Sequence, residues 1–329
     1  MRKASFASRG STIAVVGAGV IGLTTAIRLL EAGFDVTVLS RDHPTETVSA
    51  VAAAYWHPFA VAPEHRVLPW ARTTYRVSRR LATDPSSGVC FKPLRKYYPA
   101  GEANTYWMNA AGGYHRLPPE VLPEGATEGY ELNVPVMDSS RFVPFLVTWV
   151  EDLGGAISLE EVESLASLSG RFDLVVNCAG LGARHLAEDT SVAPIRGQVL
   201  RVSNPDQLEP TVISFDVGWE KTYIVPRVSD CILGGTAHSD SWDRQPSAAQ
   251  TEEILERCAR LQPALKNAEI HEVLVGLRPS RPEIRLTLEE QQWGVPVIHN
   301  YGHGGAGYTV CWGCASAALS ETLRISGIP

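Results

Sequence analysis

The sequence lacks any apolar run long enough to cross a lipid bilayer, and its 329 residues carry no excess of positive charge. A membrane-spanning helix needs about 20 consecutive apolar residues. The net charge is -7, with 29 basic against 36 acidic side chains, so a broad basic face for nucleic acid is not expected. We therefore expect neither a membrane nor a nucleic acid as partner.

Cysteine is scarce, and its spacing gives no metal site. The chain has 6 cysteines, of which Cys311 and Cys314 have redox-motif spacing in "CWGC". No second pair completes a zinc site, and the surroundings do not resemble a thioredoxin. We expect free, buried thiols in a reducing compartment and no bound metal. The C-terminal "SGIP" also lacks the peroxisomal address Ser-Lys-Leu, so we expect the cytoplasm.

A glycine-rich turn near the N-terminus carries the first functional signal. The β-branched run "TIAVV" (12–16) is followed by Gly17, Gly19 and Gly22 in G-x-G-x-x-G spacing, and then by a helical pattern that stops at Gly33. The first glycine permits the tight turn, the second lets the backbone approach a pyrophosphate, and the third lets helix and strand pack closely. The pyrophosphate would meet the N-terminus of the helix. The pattern indicates dinucleotide binding.

The fingerprint does not choose between NAD and FAD. The second strand, "DVTVL" (35–39), is followed by "SRD", at the place where a ribose-binding acid is usual. Asp42 could reach the ribose hydroxyls, whereas Arg41 would suit the 2′-phosphate of NADP. Both interpretations stay open at this point.

Three strand-to-glycine transitions lie far apart in the chain, at 12–22, 172–183 and 294–309. Because ligands gather at the carboxyl ends of strands in an α/β sheet, they predict one nucleotide-binding domain built from separated pieces. The intervening stretches are rich in Pro, Tyr and Gly or resemble successive antiparallel strands. We place the nucleotide-binding domain at 12–80, 141–195 and 266–329, and a substrate domain at 81–140 and 196–265.

Several stretches together resemble the D-amino-acid oxidase family of FAD flavoproteins. They are "VVGAGVIGLTTA" with "SRD", "VAAAYWHPF", "VVNCAGLGA", "PIRGQ", "YIVPR" and "GLRPSRPEIRL…VIHNYGHGGAGYT…WGCA". The resemblance runs from about Thr12 into the C-terminal helix, and its last stretch is highly specific. It implies an α/β fold, in which an FAD-binding Rossmann-like domain of discontinuous segments joins an α+β substrate domain with a mostly antiparallel sheet.

The resemblance implies oxidative deamination of D-amino acids to 2-oxo acids, ammonia and hydrogen peroxide. The α-hydrogen would leave as hydride to flavin N5, and oxygen would reoxidise the flavin, so no general base is required. Arg278 of "GLRP" would clamp the α-carboxylate, because a planar guanidinium matches a carboxylate. Tyr223 of "YIVP" would donate its hydroxyl to the same carboxylate. The backbone carbonyl of Gly305 would accept a hydrogen bond from the substrate amine.

Two further arginines follow Arg278 in "GLRPSRPEIRL". Arg281 and Arg285 match later arginines of the family. We expect them to have a structural role, in which they form ion pairs with Glu283 or Glu289.

The resemblance also implies a set of FAD contacts. The glycines of "YGHGGAGYT" would let backbone N–H groups approach the O2 side of the flavin, where negative charge grows on reduction. Thr309 would add a hydroxyl there. The full set is Gly17, Ala18, Gly19, Val20, Ile21, Gly22, Arg41, Asp42, Ser49, Ala53, Ala54, Val162, Gly180, Gly304, Gly305, Gly307, Tyr308 and Thr309.

Three residues are predicted to shape the pocket for the substrate side chain. Tyr55 and His57 stand where better-known animal enzymes have leucine and glutamine. Trp219 takes the aromatic place of a lid that is longer in some relatives. His57 could also be a neutral, packed histidine without substrate contact.

The choice of substrate rests on two departures from D-aspartate oxidases. Those enzymes add a basic residue in the lid region and a serine in the flavin loop. Here Phe215 precedes Asp216 in the lid region, and Gly305 holds the loop position, which favours neutral or hydrophobic D-amino acids. D-aspartate oxidase and a glycine or sarcosine oxidase remain alternatives, followed by an NAD(P)-dependent dehydrogenase and a non-catalytic nucleotide-binding module. The expected small-molecule partners are a D-amino acid and oxygen. A homodimer is a further possible assembly, and the sequence leaves the oligomeric state open.

Overall fold

The computed structural model describes residues 10–206, 208–217 and 220–326, and the predicted pocket residue Trp219 lies outside them. The strands are β1 (Thr12–Val16), β2 (Asp35–Ser40), β3 (Val89–Tyr98), β4 (His115–Arg116), β5 (Glu128–Met137), β6 (Ala156–Leu159), β7 (Leu174–Asn177), β8 (Ala193–Val202), β9 (Val212–Val217), β10 (Glu220–Pro226), β11 (Cys231–Gly234), β12 (His238–Ser239), β13 (Ile270–Glu289) and β14 (Val297–His303). The longer helices are α1 (Val20–Glu31), α2 (Glu64–Leu81), α3 (Ser139–Asp152), α4 (Ala183–Leu186), α5 (Ala248–Leu261) and α6 (Gly307–Ser326).

The three strand-to-glycine transitions meet side by side, as predicted. Strands β7 and β2 flank β1 in parallel, and β14 and β6 extend the group in the order β14-β7-β1-β2-β6. Every residue of β7 is buried, as expected of a strand covered on both faces. Helices α1 and α3 pack beside this group through Leu23, Ile27, Phe142 and Leu146 in one apolar cluster. The carboxyl ends of β1, β7 and β14 therefore open on one edge.

The remaining strands form the predicted, mostly antiparallel sheet. Their order is β4-β5-β3-β9-β10-β11-β8, and among the described residues of this group β3 and β9 form the one parallel pair. Helix α5 packs against this sheet through Ile254 and Cys258. It begins at Ala248, where the Ser247 side chain caps it by accepting from the backbone N–H of Gln250.

Strand β13 joins the two groups. Its first half pairs with β8, where Gly276 lies opposite Gly197 and Arg278 opposite Ile195. Its second half pairs with β14, after a register shift between Ser280 and Arg285. One strand thus carries "GLRPSRPEIRL" from the antiparallel group into the parallel group. The domain boundaries drawn from the sequence remain a prediction.

Among the described residues, none of the helices combines the length and the apolar character that a membrane span requires.

Candidate active site

One elongated cavity of about 510 Å³ runs from the β1–α1 turn to β10 and β13. Most of the predicted site residues line it: Gly17, Ala18, Gly19, Val20, Ile21, Arg41, Asp42, Ser49, Ala53, Ala54, Tyr55, His57, Val162, Gly180, Tyr223, Arg278, Gly304, Gly305, Gly307 and Tyr308. Gly22 and Thr309 lie behind its wall. The cavity thus connects the predicted cofactor and substrate residues in one space.

The glycines of the fingerprint are fixed by close backbone contacts. Gly17 has φ +107, and a Cβ there would lie 2.6 Å from the carbonyl oxygen of Cys178. A Cβ on Gly22 would overlap the carbonyl oxygen of Gly17, so this position seats α1 against β1. Gly19 has an ordinary φ of -75, and its Cβ would meet only the Ser49 Oγ, at 3.1 Å. Gly17 and Gly22 therefore serve the turn itself, whereas Gly19 leaves room beside it.

The N-terminus of α1 faces the cavity and is capped from a distant segment. The Val20 N–H donates to Ser49 Oγ at 2.9 Å, which leaves the Ser49 hydroxyl proton for another acceptor. Tyr308 fixes this segment, since its hydroxyl donates to the Ser49 carbonyl at 2.7 Å. Backbone N–H groups and a hydroxyl donor at a helix N-terminus suit a phosphate.

Arg41 and Asp42 lie at the end of β2 and pair with each other. The Arg41 guanidinium donates to both Asp42 oxygens, at 3.1 and 2.7 Å. The hydrogen bond from Arg41 lowers the pKa of the Asp42 carboxyl, and the charge of Arg244 contributes further. This pairing engages the Arg41 fork, so the arginine is not poised for a 2′-phosphate.

Two buried polar atoms at the cavity have no hydrogen-bond partner among the described residues. They are Nε2 of His303 and Oδ1 of Asn300. Burial lowers the pKa of His303 to about 3, so its imidazole is neutral at ordinary pH. Orphaned buried groups are costly, and the donors and acceptors of an isoalloxazine ring would satisfy them. Together with the phosphate cradle, the cavity fits FAD.

Arg278 projects from β13 into the other end of the cavity. Its Nη1 donates to the Thr236 carbonyl at 3.1 Å, and its Cζ lies 5.8 Å from the centre of the Phe59 ring. A Cβ on Gly197 would overlap the guanidinium. No carboxylate among the described residues pairs with Arg278, so its fork is available to a ligand.

Gly305 lies beside Arg278, and the Phe59 ring lies beside both residues. A Cβ on Gly305 would lie 3.4 Å from the Arg278 Cδ and 2.5 Å from a Phe59 ring carbon. A larger residue at Gly305 would therefore crowd both neighbours.

Tyr223 is positioned by a glycine on the neighbouring strand. It pairs with Gly234 across β10 and β11, and a Cβ there would overlap the tyrosine ring. Tyr223 is buried against Tyr55, with ring centroids 5.8 Å apart.

An aromatic stack forms the wall beside Tyr223. Tyr55 and His57 stack with centroids 5.8 Å apart, and Trp107 meets His57 edge-on at 4.9 Å. The Tyr55 hydroxyl donates to Ser214 Oγ at 3.3 Å, and buried Lys96 donates to the same oxygen at 2.9 Å. Tyr55 and His57 thus line the cavity as one rigid surface.

Thr309 and the two later arginines stabilise the surroundings of the site. Thr309 Oγ1 accepts from the His57 N–H at 3.0 Å and donates to the His57 carbonyl at 2.8 Å, so its hydroxyl is engaged there. Arg281 pairs with Asp189 at 2.9 Å and reaches Glu283 only through its backbone carbonyl. Arg285 pairs with Glu289, as expected.

The cavity-lining residues that did not emerge from the sequence include Phe59, Lys221, Arg244 and His303. Lys221 had a signal, since it lies two residues before Tyr223 and a strand places such residues on one face. Its Nζ lies 5.6 Å from the Phe59 ring centre. Arg244 had no local signal, because it belongs to a loop whose position depends on tertiary contacts.

The chain was compared with known proteins. It matches the family described as FAD dependent oxidoreductase over residues 12–320. It is 47% identical over 319 residues to a protein named D-amino-acid oxidase from Rubrobacter xylanophilus, covering 95% of this chain and 97% of that protein. It is 34% identical over 335 residues to one named D-aspartate oxidase from Homo sapiens, covering 96% of this chain and 97% of that protein.

Solved structures share the fold at lower identity. The crystal structure of glycine oxidase from Geobacillus kaustophilus is similar with a TM-score of 0.79 at 19% identity, covering 96% of this chain and 95% of that chain. At this identity the similarity describes the fold alone.

Proposed function

This chain belongs to the family of FAD-dependent oxidoreductases, and we propose on that premise that it oxidatively deaminates D-amino acids. One observation carries the proposal: Arg278, Tyr223 and Gly305 line the end of a cavity whose other end is a dinucleotide fingerprint. The protein named D-amino-acid oxidase from Rubrobacter xylanophilus supports it through 47% identity over nearly the whole chain.

Arg278 binds the α-carboxylate of the substrate through a two-pronged, charge-assisted pair. The Thr236 carbonyl, 3.1 Å from Nη1, and the Phe59 ring hold the guanidinium before substrate arrives. A positioned fork loses little entropy on binding a carboxylate. Tyr223 donates its hydroxyl to the same carboxylate.

Gly305 orients the amine. Its backbone carbonyl accepts a hydrogen bond from the substrate N–H and so directs the amine lone pair toward the α-carbon. FAD, once bound, would supply the acceptor for the α-hydrogen and its electron pair and the route by which these electrons reach oxygen. No side-chain base is needed for this step, and one of the cavity-lining histidines, His303, is neutral and buried.

The products follow from the atom balance. The amino acid loses two hydrogens and becomes an imino acid, which takes up water and releases ammonia and a 2-oxo acid. Oxygen takes up two electrons and two protons and becomes hydrogen peroxide.

The aromatic wall favours neutral and hydrophobic side chains. Tyr55 and His57, the latter backed by Trp107, offer ring surfaces against which an apolar substrate side chain gains dispersion and loses little hydration. A second candidate is an acidic D-amino acid, because Lys221 also lines the cavity, with its Nζ 5.6 Å from the Phe59 ring centre.

A peroxide assay over D- and L-amino acids tests the proposal. The purified protein should be yellow, its flavin spectrum should bleach anaerobically with D-alanine or D-methionine, and L-enantiomers should be inert. Glycine, sarcosine and D-aspartate complete the panel, and preferred oxidation of D-aspartate would establish the second candidate. A colourless protein that gains no activity from added FAD yet binds NADPH would overturn the oxidase proposal.

Two further features belong to the proposal. We place the enzyme in the cytoplasm, supported by six free cysteines, which suit a reducing compartment. We also expect a homodimer in solution, which sedimentation analysis checks directly.

A further inference from the structure

We propose that Arg244, which extends from a loop of the antiparallel part of the chain, binds the diphosphate of FAD across the cavity from the glycine fingerprint. The inference rests on FAD being the cofactor of the proposed function. It assigns a cofactor contact to a segment that the fingerprint does not include.

The cations along the cavity divide into two pairs. Among the described residues, the Lys and Arg side chains that line it are Arg41, Arg244, Lys221 and Arg278. Lys221 and Arg278 flank the Phe59 ring at the substrate end. At the cofactor end, both oxygens of Asp42 engage Arg41.

Arg244 lies near this carboxylate but makes no hydrogen bond to any described residue. Arg244 and Asp42 line the same cavity, and the positive charge of Arg244 contributes to lowering the pKa of the Asp42 carboxyl. The cavity wall also carries Glu160 and Glu161. A dinucleotide brings a diphosphate with two negative charges into this acidic surrounding, where a cation that makes no ion pair would stabilise it.

The loop that carries Arg244 is held in place by a buried arginine. Arg196 is 3% exposed and donates to the Asp243 carbonyl at 3.0 Å and to the Gln245 carbonyl at 2.6 Å. It also donates to the Gln250 side chain at 2.8 Å. The backbone carbonyls of the residues before and after Arg244 are therefore held in place, although Arg244 itself is exposed.

This arrangement gives a role to "PIRGQ", the stretch that contains Arg196. Gln198 continues the support, since its side chain bonds both the N–H and the carbonyl of Ser247, at 2.8 and 2.9 Å. Arg196 is thus a positioning residue, which holds the loop so that Arg244 faces the cofactor.

The test measures FAD affinity of the apoprotein by flavin fluorescence. Arg244→Gln should raise the Kd for FAD about fivefold to tenfold at low salt, the range for one exposed charge-assisted contact. The Kd for ADP, measured by displacement of FAD, should rise equally, and the Kd for riboflavin, which carries no phosphate, should stay unchanged. The FAD effect should shrink in 0.5 M NaCl, because an exposed ion pair is screened. Arg260→Gln, an exposed arginine on α5 that does not line the cavity, is the matched control.

Arg196→Lys tests the positioning role. It should weaken FAD binding to a similar degree, and the Arg196→Lys/Arg244→Gln double variant should be no weaker than the worse single variant, since both act through one contact. Additive losses would assign Arg196 to general stability only.

The outcomes separate the two proposals. If wild-type protein binds FAD and Arg244→Gln binds FAD and ADP equally well at low salt, the Arg244 assignment is wrong while the oxidase proposal stands. If riboflavin affinity falls along with FAD affinity, the contact is not with the diphosphate. Wild-type protein without FAD affinity would instead overturn the proposed function.

Discussion

At the cofactor end of the cavity, the short segment from Gly17 to Gly22 supplies the turn and the helix N-terminus, whereas at the substrate end Tyr55, Tyr223 and Arg278 come from three distant segments. The first surface is made of backbone, and the second is made of side chains. Backbone geometry can be encoded by a local run of glycines. Side chains from distant segments come together only when the sheet that positions these segments has formed.

Glycine serves both ends, but for different reasons. Gly17 and Gly22 let backbone approach backbone within the turn. Gly197 and Gly234 instead make room for a functional side chain on the neighbouring strand, Arg278 and Tyr223 respectively. The substrate end therefore depends on glycines outside the dinucleotide fingerprint.

The largest effect is expected from removing Arg278. Arg278→Ala should lower kcat/KM on D-alanine by roughly 30-fold to several thousandfold, or about 2–5 kcal/mol, because a desolvated carboxylate loses its partner. Arg278→Lys should also be poor, since a point charge cannot reproduce the fork. FAD affinity should not change, which steady-state kinetics and flavin titration check together.

The matched control is Arg285→Lys on the same strand. Arg285 contacts Tyr301 and Glu289 rather than the cavity, so the KM for D-alanine should stay nearly constant. If Arg278→Ala keeps the wild-type kcat/KM on D-alanine, Arg278 has only a structural role, like Arg285.

A glycine at the substrate end should behave like part of the clamp. Gly197→Ala places a methyl group where the Arg278 guanidinium lies. A displacement of about 1 Å can cost about 100-fold in rate, so kcat/KM on D-alanine should fall by up to that factor. The Gly197→Ala/Arg278→Ala double variant should be no worse than Arg278→Ala. A further loss in the double variant, or a weaker FAD affinity in Gly197→Ala, would assign Gly197 to general packing.

At the cofactor end, two glycines of one motif should separate. Gly19→Val should raise the Kd for FAD about 5- to 150-fold, the equivalent of roughly 1–3 kcal/mol of steric crowding, with the circular dichroism spectrum retained. Gly22→Ala should instead reduce folded yield, because its Cβ overlaps the Gly17 carbonyl. Normal flavin content in Gly19→Val would show that the pyrophosphate lies elsewhere.

The smallest effect is expected from pH at the junction of the two ends. Burial lowers the pKa of His303 from 6.5 to about 3, so between these values the unfolded chain binds a proton that the folded chain does not. This stability is present above pH 6.5 and is lost as the pH falls. Between pH 7.5 and 5.5 the loss is about 1.4 kcal/mol.

Urea unfolding of the apoprotein at both pH values measures this loss. The His303→Asn variant should lose about 1.4 kcal/mol less than wild type over the same interval, whatever its absolute stability. An unchanged pH dependence would contradict the burial of a neutral His303.

Much of the architecture was predictable because it follows local patterns. The α/β fold, the family and FAD were anticipated from the glycine fingerprint and from stretches such as "GLRPSRP" and "YGHGGAGYT", and the comparisons confirm them. The predicted roles of Arg278, Tyr223 and Gly305 stay predictions, although all three line one cavity. The preference for neutral substrates also stays a prediction.

The residues that sequence reasoning missed have a common physical cause. Arg244 is exposed on a loop, and no nearby sequence pattern indicates that Arg196 donates hydrogen bonds to the carbonyls of Asp243 and Gln245. His303 lies within "YGHGGAGYT", but only packing shows that its Nε2 is buried without a partner among the described residues. Such features arise from contacts between segments far apart in the chain.

The sequence by itself determined the dinucleotide turn, because Gly17, Gly19 and Gly22 act through backbone conformation and contacts within a few residues. Only the tertiary structure decided which arginine is available to a ligand. Arg281 and Arg285 find Asp189 and Glu289 as partners, whereas Arg278 lines the cavity with its guanidinium beside Gly197. Three similar guanidinium groups on one strand differ in role because burial and neighbouring charge are set by the elements packed around them, not by the strand itself.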